Sequence, residues 1–220
     1  MADTVKARRS YDSSRRREQA RDTRLRILRA AHDLFVAQGY GRTTIADIAR
    51  AAQVSSETIY TTFKNKATLL HKVWDVTIGG DDQDVQFHDR PEIQAIRGEP
   101  DLARRFVLHA RMSTVAAGRT APFLLALRGA AASEPTAAAM LAEVDRQRAD
   151  GLGVMAREAA ATGRLKVSEA ECLDLIWATT DGTLWHRLVK ERGWSEERYA
   201  DHLAAMWIAA LVQEPLPDPS

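Results

Sequence analysis

The sequence is poor in the residues and runs that mark several protein classes. It has one cysteine among 220 residues, Cys172, which excludes an intramolecular disulfide, a cysteine-based zinc site and a redox pair within the chain. No run approaches the roughly 18 to 20 apolar residues that a membrane-spanning helix requires. The charged N-terminus has no apolar segment behind it, unlike a secretory signal. The sequence therefore predicts a cytoplasmic protein with no membrane partner.

Catalytic and metal-binding signatures are also missing. The six histidines occur one per segment, without HxxxH or HExxH spacing, and the sequence contains no GxSxG, GxxxxGK or GxGxxG. The aspartates from Asp81 to Asp89 lack the glycine and distal glutamate of a calcium loop, so they predict a solvated connection. We predict no catalytic site, no metal and no cofactor. The sequence leaves open an all-helical small-molecule enzyme that pairs His109 with a carboxylate.

Charge is distributed unevenly along the chain. Residues 1–66 contain 14 Lys and Arg against 7 Asp and Glu, a balance of +7, whereas residues 67–220 contain 17 against 23, a balance of −6. The total of +1 conceals this asymmetry. A basic N-terminal part and an acidic remainder indicate that only the N-terminal part approaches nucleic acid.

The first 22 residues are polar and arginine-rich, with no apolar period. They predict a flexible arm in the free protein, part of which continues the first helix backwards. The arginines suit DNA phosphates or a narrow minor groove. They are Arg8, Arg9, Arg15, Arg16, Arg17 and Arg21.

Residues 23–66 predict a three-helix DNA-binding head, in which the last two helices form a helix-turn-helix. An amphipathic helix runs from Thr23 to Gly39, and two short helices follow it. Hydroxyl residues suited to N-caps precede the short helices: Thr43 and Thr44 before the first, Ser55 and Ser56 before the second. The last helix directs Ile59 and Phe63 inward, and its other face offers hydrogen-bonding side chains suited to base edges in the DNA major groove. The predicted DNA-contact residues are Thr44, Ser56, Thr58, Tyr60, Thr61, Thr62, Lys64 and Lys66.

This stretch resembles the N-terminal domain of the TetR family of transcriptional regulators. The matching motifs are Gln38-Gly39-Tyr40, Thr43-Thr44-Ile45, Asp47-Ile48-Ala49, Ala52, Val54-Ser55, Thr58-Ile59-Tyr60, Phe63 and Lys66-x-x-Leu69-Leu70. The chain departs from the family at Gln53, where the turn usually has glycine, and at Glu57, where glycine or proline is common. A helical interaction module that does not bind DNA would require Glu57 to block the groove.

The rest of the chain predicts an all-α body, with about nine helices in total. Residues 67–213 form this body and residues 214–220 a tail. A fourth helix ends near Gly79, a short helix follows Pro91, and a helix from Asp101 breaks at Gly118. Another runs from Pro135 towards Gly163, and Gly151 and Gly153 within it predict a kink or close packing rather than a helix end. Ser168 caps a single helix that continues to Gly193, and a last helix starts at Ser195.

The resemblance implies a ligand-responsive regulator, usually a repressor, that binds a palindromic operator as a homodimer. Its fourth helix links the DNA-binding part to the body, and its body encloses a pocket for a small-molecule effector. The pocket candidates are Phe106, His109, Met112, Phe123, Leu127, Met155, Trp177 and Trp185. The dimer candidates on the last helices are Leu173, Thr180, Leu184, Leu188, His202, Met206 and Ala209.

Overall fold

A computed structural model of the chain describes residues 2–79 and 91–213, with side chains from Arg15 onward except that of Glu92. The chain divides into two compact units, a head of residues Met1–Val76 and a body of residues Thr77–Ser220. The predicted acidic connection falls largely on residues 80–90, and the predicted tail on residues 214–220, both outside the described ranges.

All regular secondary-structure elements in the described ranges are helices. This confirms the predicted all-α class. Their one extended pairing is an isolated antiparallel bridge between Leu165 and Val212. The helices are α1 (Ala2–Gln38), α2 (Ile45–Ala52), α3 (Ser56–Phe63), α4 (Lys66–Gly79), α5 (Pro91–Arg97), α6 (Leu102–Ala131), α7 (Pro135–Ala160), α8 (Glu169–Thr179), α9 (Thr183–Trp185) with a π-helical turn (His186–Glu191), and α10 (Glu196–Leu211). No described helix is long and apolar enough to cross a membrane.

The head is held together by the apolar stripe of α1. Ile27, Leu28, Ala31 and Phe35 are buried at helical spacing, and each large apolar side chain so removed from water contributes about 1.5 to 3 kcal/mol. Thr43 ties the end of α1 to the start of α2, because its buried hydroxyl lies 2.9 Å from the carbonyl oxygen of Gly39 and 3.2 Å from that of Leu34. Thr43 is thus a bridge rather than a helix cap.

The arginine-rich segment belongs to α1 in the structure. The helix begins at Ala2 and includes the residues for which the sequence predicts an arm. The expected backward continuation of the first helix is therefore present. The flexibility of this segment in the free protein stays a prediction.

The predicted break at Gly118 is wrong, because α6 is one helix of 30 residues. Ala117 and Ala121 are buried on either side of the glycine, and this packing outweighs the helix cost of glycine, about 1 kcal/mol. The glycine also permits a close approach, since a Cβ atom there would lie 3.6 Å from Trp185 Cζ2 and 3.3 Å from Glu196 Oε1.

The predicted continuous helix from Ser168 to Gly193 is also wrong, although Ser168 caps α8 as expected. The chain leaves the helix at Thr180 and passes through Gly182, whose φ of 85° is left-handed. Arg128 stabilises this junction, because its Nη1 lies 2.8 Å from Asp181 Oδ2 and 2.9 Å from Thr183 Oγ1. Tertiary contacts from α6 therefore create a break that helical periodicity does not reveal.

The other predicted body helices are present. The helix α7 continues through Gly151 and Gly153, as predicted, but a Cβ atom at Gly151 would meet nothing within 4 Å and one at Gly153 would meet only Leu173 Cδ2 at 4.0 Å. Of the kink or close packing that the sequence predicts at these glycines, close packing is not observed. The last helix is capped by Ser195, whose Oγ accepts a hydrogen bond from the Arg198 amide at 3.1 Å.

The core of the body is aromatic and joins α6 to the last helices. Phe106 and Trp207 meet edge to face, with ring centroids 6.2 Å apart, and Trp207 Nε1 donates to Thr179 Oγ1 at 2.9 Å. Trp185 and Tyr199 are almost fully buried beside them. Such packed aromatic side chains dominate the burial energy of a small core.

Candidate DNA-binding surface

The start of α2 is closed by a reciprocal cap. Thr44 Oγ1 accepts from the Asp47 amide at 3.1 Å, and the Thr44 amide donates to Asp47 Oδ2 at 3.2 Å. The hydrogen bonds from Thr44, first that of its side chain, hold the pKa of the Asp47 carboxyl below its usual value. The cap satisfies amides that α2 would otherwise leave unpaired. The hydroxyl of Thr44, a predicted phosphate contact, is thus engaged within the head.

The turn between α2 and α3 is left-handed without a glycine. Gln53 has φ 55° and ψ 49°, a conformation that costs most side chains about 1 to 2 kcal/mol. The amide of Val54 donates back to the Ala49 carbonyl at 3.0 Å, which satisfies the end of α2. The departure from the family at Gln53 therefore preserves the turn geometry.

The helix α3 presents a polar face to solvent. Ser55 caps it by accepting from the Thr58 amide at 3.1 Å, and Ile59 and Phe63 are buried as predicted. Tyr60 is 52% exposed. The other predicted base-reading residues divide into exposed and half-buried positions: Thr61 and Thr62 exposed, Ser56 and Thr58 half-buried.

The exposed hydroxyls on α3 are not equivalent. Thr62 donates to the Thr58 carbonyl at 2.7 Å, and Thr58 Oγ1 lies 2.9 Å from Ser55 Oγ. Tyr60 has the largest side chain among these residues and is 52% exposed. It is therefore the strongest candidate for reading a base edge.

Beyond α3 the backbone makes a strained turn at Lys64. Its φ of 65° and ψ of −50°, with the Asn65 amide 2.7 Å from the Phe63 carbonyl oxygen, define a classic γ-turn, which is rare. Strain of this kind concentrates at functional sites. The turn leaves the Lys64 side chain exposed beside the end of the polar face. Asn65 Oδ1 then accepts from the Thr68 amide at 2.8 Å and caps α4.

Lys66 is anchored on Tyr40. Its Nζ donates to the Tyr40 carbonyl oxygen at 2.5 Å and lies 4.0 Å from the centroid of the Tyr40 ring. That ring packs against Phe35, with centroids 5.4 Å apart. Tyr40 was absent from the predicted DNA-contact set, although it stands in the Gln38-Gly39-Tyr40 motif. Its role is to hold the Lys66 ammonium in place.

Arg24 is a second residue that the sequence prediction missed. Its guanidinium carbon lies 5.5 Å from the centroid of the Phe63 ring, so α1 passes the C-terminal end of α3 at this position. The signal available in sequence was the regular spacing of Arg17, Arg21 and Arg24. The basic face of the head thus includes part of α1 as well as the residues after α3.

Most predicted pocket residues of the body lie in its interior. Phe106, His109, Phe123, Leu127, Met155 and Trp185 are buried and Met112 is half-buried. Trp177 differs, because it is 37% exposed and has Arg148 over its ring at 5.0 Å. It lies at the surface of the body, away from an interior wall. The described residues contain no cluster of metal-ligating side chains.

The predicted dimer residues also fall into two groups. Leu173, Leu184, Leu188 and Met206 are half-buried against the core of the body. Thr180 accepts from Arg148 Nη1 at 3.1 Å. His202 and Ala209 are exposed on α10. Exposed Leu175 and Ala178, three residues apart on α8, were missed and offer the more accessible apolar face.

His109 is a buried polar group of the body whose pKa is strongly lowered. Burial, helped by the nearby charge of Arg105, lowers the pKa of its imidazole from 6.5 to about 4. Its Nδ1 and Trp185 Nε1 are buried without a hydrogen-bond partner among the described residues. By contrast, burial raises the pKa of the Cys172 thiol to about 11, so this thiol is protonated and a poor nucleophile at neutral pH.

The histidine makes the stability of the body depend on pH. His109 stays neutral in the folded state down to a pKa of about 4, but in the unfolded chain it takes a proton near pH 6.5. The free energy of unfolding therefore decreases as the pH falls from 6.5 towards 4, by about 3 kcal/mol in total. We expect His109→Leu to flatten the profile of unfolding free energy in this window, measured by urea denaturation. Parallel profiles for the two proteins would contradict this.

Comparisons with known proteins agree with the geometry of the head. The family profile described as bacterial regulatory proteins, tetR family, matches residues 27–73, which contain the apolar stripe of α1, both short helices and most of α4. The head is a TetR-family domain. TtgR from Pseudomonas putida, an HTH-type transcriptional regulator, is 44% identical over 61 residues, which cover 28% of this chain and 29% of TtgR. The match thus spans less than a third of that relative.

Likeness to solved structures covers most of the chain. The fatty acid degradation regulator FadR from Bacillus halodurans superposes with a TM-score of 0.68 and 19% identity, over 84% of this chain and 94% of FadR. SmeT in complex with triclosan gives a TM-score of 0.63 and 22% identity, over 89% of this chain and 99% of SmeT. At these identities the comparison shows a shared fold.

Proposed function

We propose that this chain is a DNA-binding transcriptional regulator in the cytoplasm, a repressor that a small-molecule ligand releases from its operator. The observation that carries the proposal is the polar face of α3, with Tyr60 52% exposed between a serine cap and an exposed lysine. A short capped helix of this kind fits the major groove and can read base edges. Lys64 and Lys66, with Thr44, would contact phosphates and fix the register.

The regulator acts as a homodimer on a palindromic site. Two recognition helices reach successive major grooves only when they lie about 34 Å apart, which a two-fold dimer achieves. The exposed small or apolar side chains of the last helices support this arrangement, including Leu175, Ala178 and Ala209. The half-buried leucines predicted for the interface would then support this face from beneath.

The effector binds in the body and is largely apolar. Two buried polar atoms, His109 Nδ1 and Trp185 Nε1, have no partner among the described residues, and such atoms cost about 1 to 3 kcal/mol each. A ligand that carries polar groups in an aromatic frame would satisfy them, and binding pockets need only a few such polar groups. Release follows when this ligand prefers the form of the protein that does not match the operator.

Selection from random DNA tests the proposal. The purified chain is incubated with a pool of duplexes that carry 30 or so random base pairs, and retained duplexes are amplified and sequenced. We expect a two-fold symmetric site, bound at two chains per duplex with a steep salt dependence. Release is then measured with triclosan as the first probe, because SmeT was crystallised with it. Failure to enrich any sequence would overturn the proposed function.

A further inference from the structure

The N-terminal part of α1 carries a row of arginines on one face. At 100° per residue, Arg17, Arg21 and Arg24 fall within a sector of about 60°. All three are exposed. Glu18, Asp22 and Asp33, the acidic residues of α1 from Arg15 onward, lie outside this sector. The three arginines are therefore aligned along one side of α1.

The arginine row continues the face that packs into the head. Leu28, Ala31 and Phe35 occupy the same sector as the arginines, and all three are buried. The face is thus apolar where α1 packs against the head and basic where α1 extends past it. Because burial of the C-terminal half of α1 fixes the rotation of the helix about its axis, it also fixes the direction in which the arginines point.

The row begins beside the recognition helix. Arg24 stacks on Phe63, 5.5 Å from its ring centroid, and Phe63 is the last residue of α3. Arg17 lies seven residues before Arg24, about 10 Å further along α1. The arginine row therefore starts at the C-terminal end of α3, the helix that carries Tyr60 and is followed by Lys64.

We propose that Arg17 and Arg21 bind backbone phosphates of duplex DNA that flanks the half-site read by α3. This contact rests on the proposed function and extends it, because it adds a sequence-independent anchor outside the groove. Arginine suits this role, since its planar fork pairs with phosphate oxygens. The site therefore needs flanking base pairs on each side for full affinity.

The test compares two arginine pairs on one helix. Arg17→Ala/Arg21→Ala removes the proposed anchor, and Arg26→Ala/Arg29→Ala removes equal charge from exposed positions on the opposite face. Affinity is measured on two duplexes that contain the selected site, one ending at its edges and one with about a further helical turn on each side. Because alanine favours helix, neither pair should unfold α1, and circular dichroism checks this.

We expect Arg17→Ala/Arg21→Ala to bind the long duplex more weakly than the wild type does, whereas its affinity for the short duplex should be unchanged. The slope of log affinity against log salt concentration should become shallower by about 1.8 per bound protomer for this variant. Between 50 and 200 mM salt, the wild type should therefore lose about tenfold more affinity than the variant. Arg17→Lys/Arg21→Lys should restore most of the slope. The opposite-face pair should change it much less.

Two outcomes would overturn the inference and leave the proposed function intact. One is an equal change of slope for both arginine pairs on the long duplex. The other is an equal loss for the first pair on the short and long duplexes. Wild-type protein that enriches no duplex would instead overturn the proposed function, and the flanking contact with it.

Discussion

Tyr60→Ala lowers affinity for the selected operator by about tenfold to a hundredfold and affects random DNA far less. The side chain is the most exposed large group on α3, and a good base contact contributes about 1 to 3 kcal/mol of discrimination. Loss of its stacking and hydroxyl contacts should therefore reduce specificity rather than electrostatic attraction. Fluorescence anisotropy with both duplexes at several salt concentrations measures the two effects separately.

Two controls sharpen the Tyr60 experiment. Tyr60→Phe keeps the ring and removes the hydroxyl, so its affinity separates hydrogen bonding from stacking. Thermal unfolding of Tyr60→Ala should match that of the wild type, since exposed substitutions usually change stability by less than about 0.5 kcal/mol. Equal losses on operator and random DNA would contradict a base-reading role for Tyr60.

Gly182→Ala should be among the most damaging single substitutions in the body. The added Cβ atom would lie 2.9 Å from the Cβ of Ala121 and 3.1 Å from its Cα, so part of the α6 backbone would have to move. The left-handed φ of 85° adds its own cost. Overpacking and backbone strain together predict a loss of about 3 kcal/mol in unfolding free energy, measured by urea denaturation.

Gly193→Ala is the matched control for this substitution. Gly193 has a similar φ of 71°, but a Cβ atom there would meet nothing within 4 Å. The unfolding free energy of Gly193→Ala should fall only by the cost of the left-handed backbone, about 1 kcal/mol. The difference between the two variants isolates the contact with Ala121. Equal losses at Gly182 and Gly193 would show that packing at the junction is not the cause.

The elements of the head were predictable from local signals. Threonine and serine caps, short apolar periods and the motif residues around Thr44 and Ser55 act over three or four residues, so sequence displays them directly. The fourth helix and the capped starts of α8 and α10 were predictable for the same reason. The left-handed turn at Gln53 follows from the family resemblance, because glycine usually occupies this position.

The candidate site was only partly predictable. The outward face of α3 follows from the burial of Ile59 and Phe63, because the two positions define the opposite side of the helix. The stacking of Arg24 on Phe63 and the anchoring of Lys66 on Tyr40 join residues 39 and 26 positions apart. Local periodicity contains no information about such pairs.

The sequence alone determines the all-α class, the capped helices of the head and the basic N-terminal charge. Each of these depends only on short-range spacing or on composition. Packing decided the rest. The continuity of α6 through Gly118 and the break at Gly182 depend on neighbours from distant helices, which reverse the local preferences at both glycines. The arginine face of α1 likewise became a defined surface only when burial of Leu28, Ala31 and Phe35 fixed the rotation of the helix.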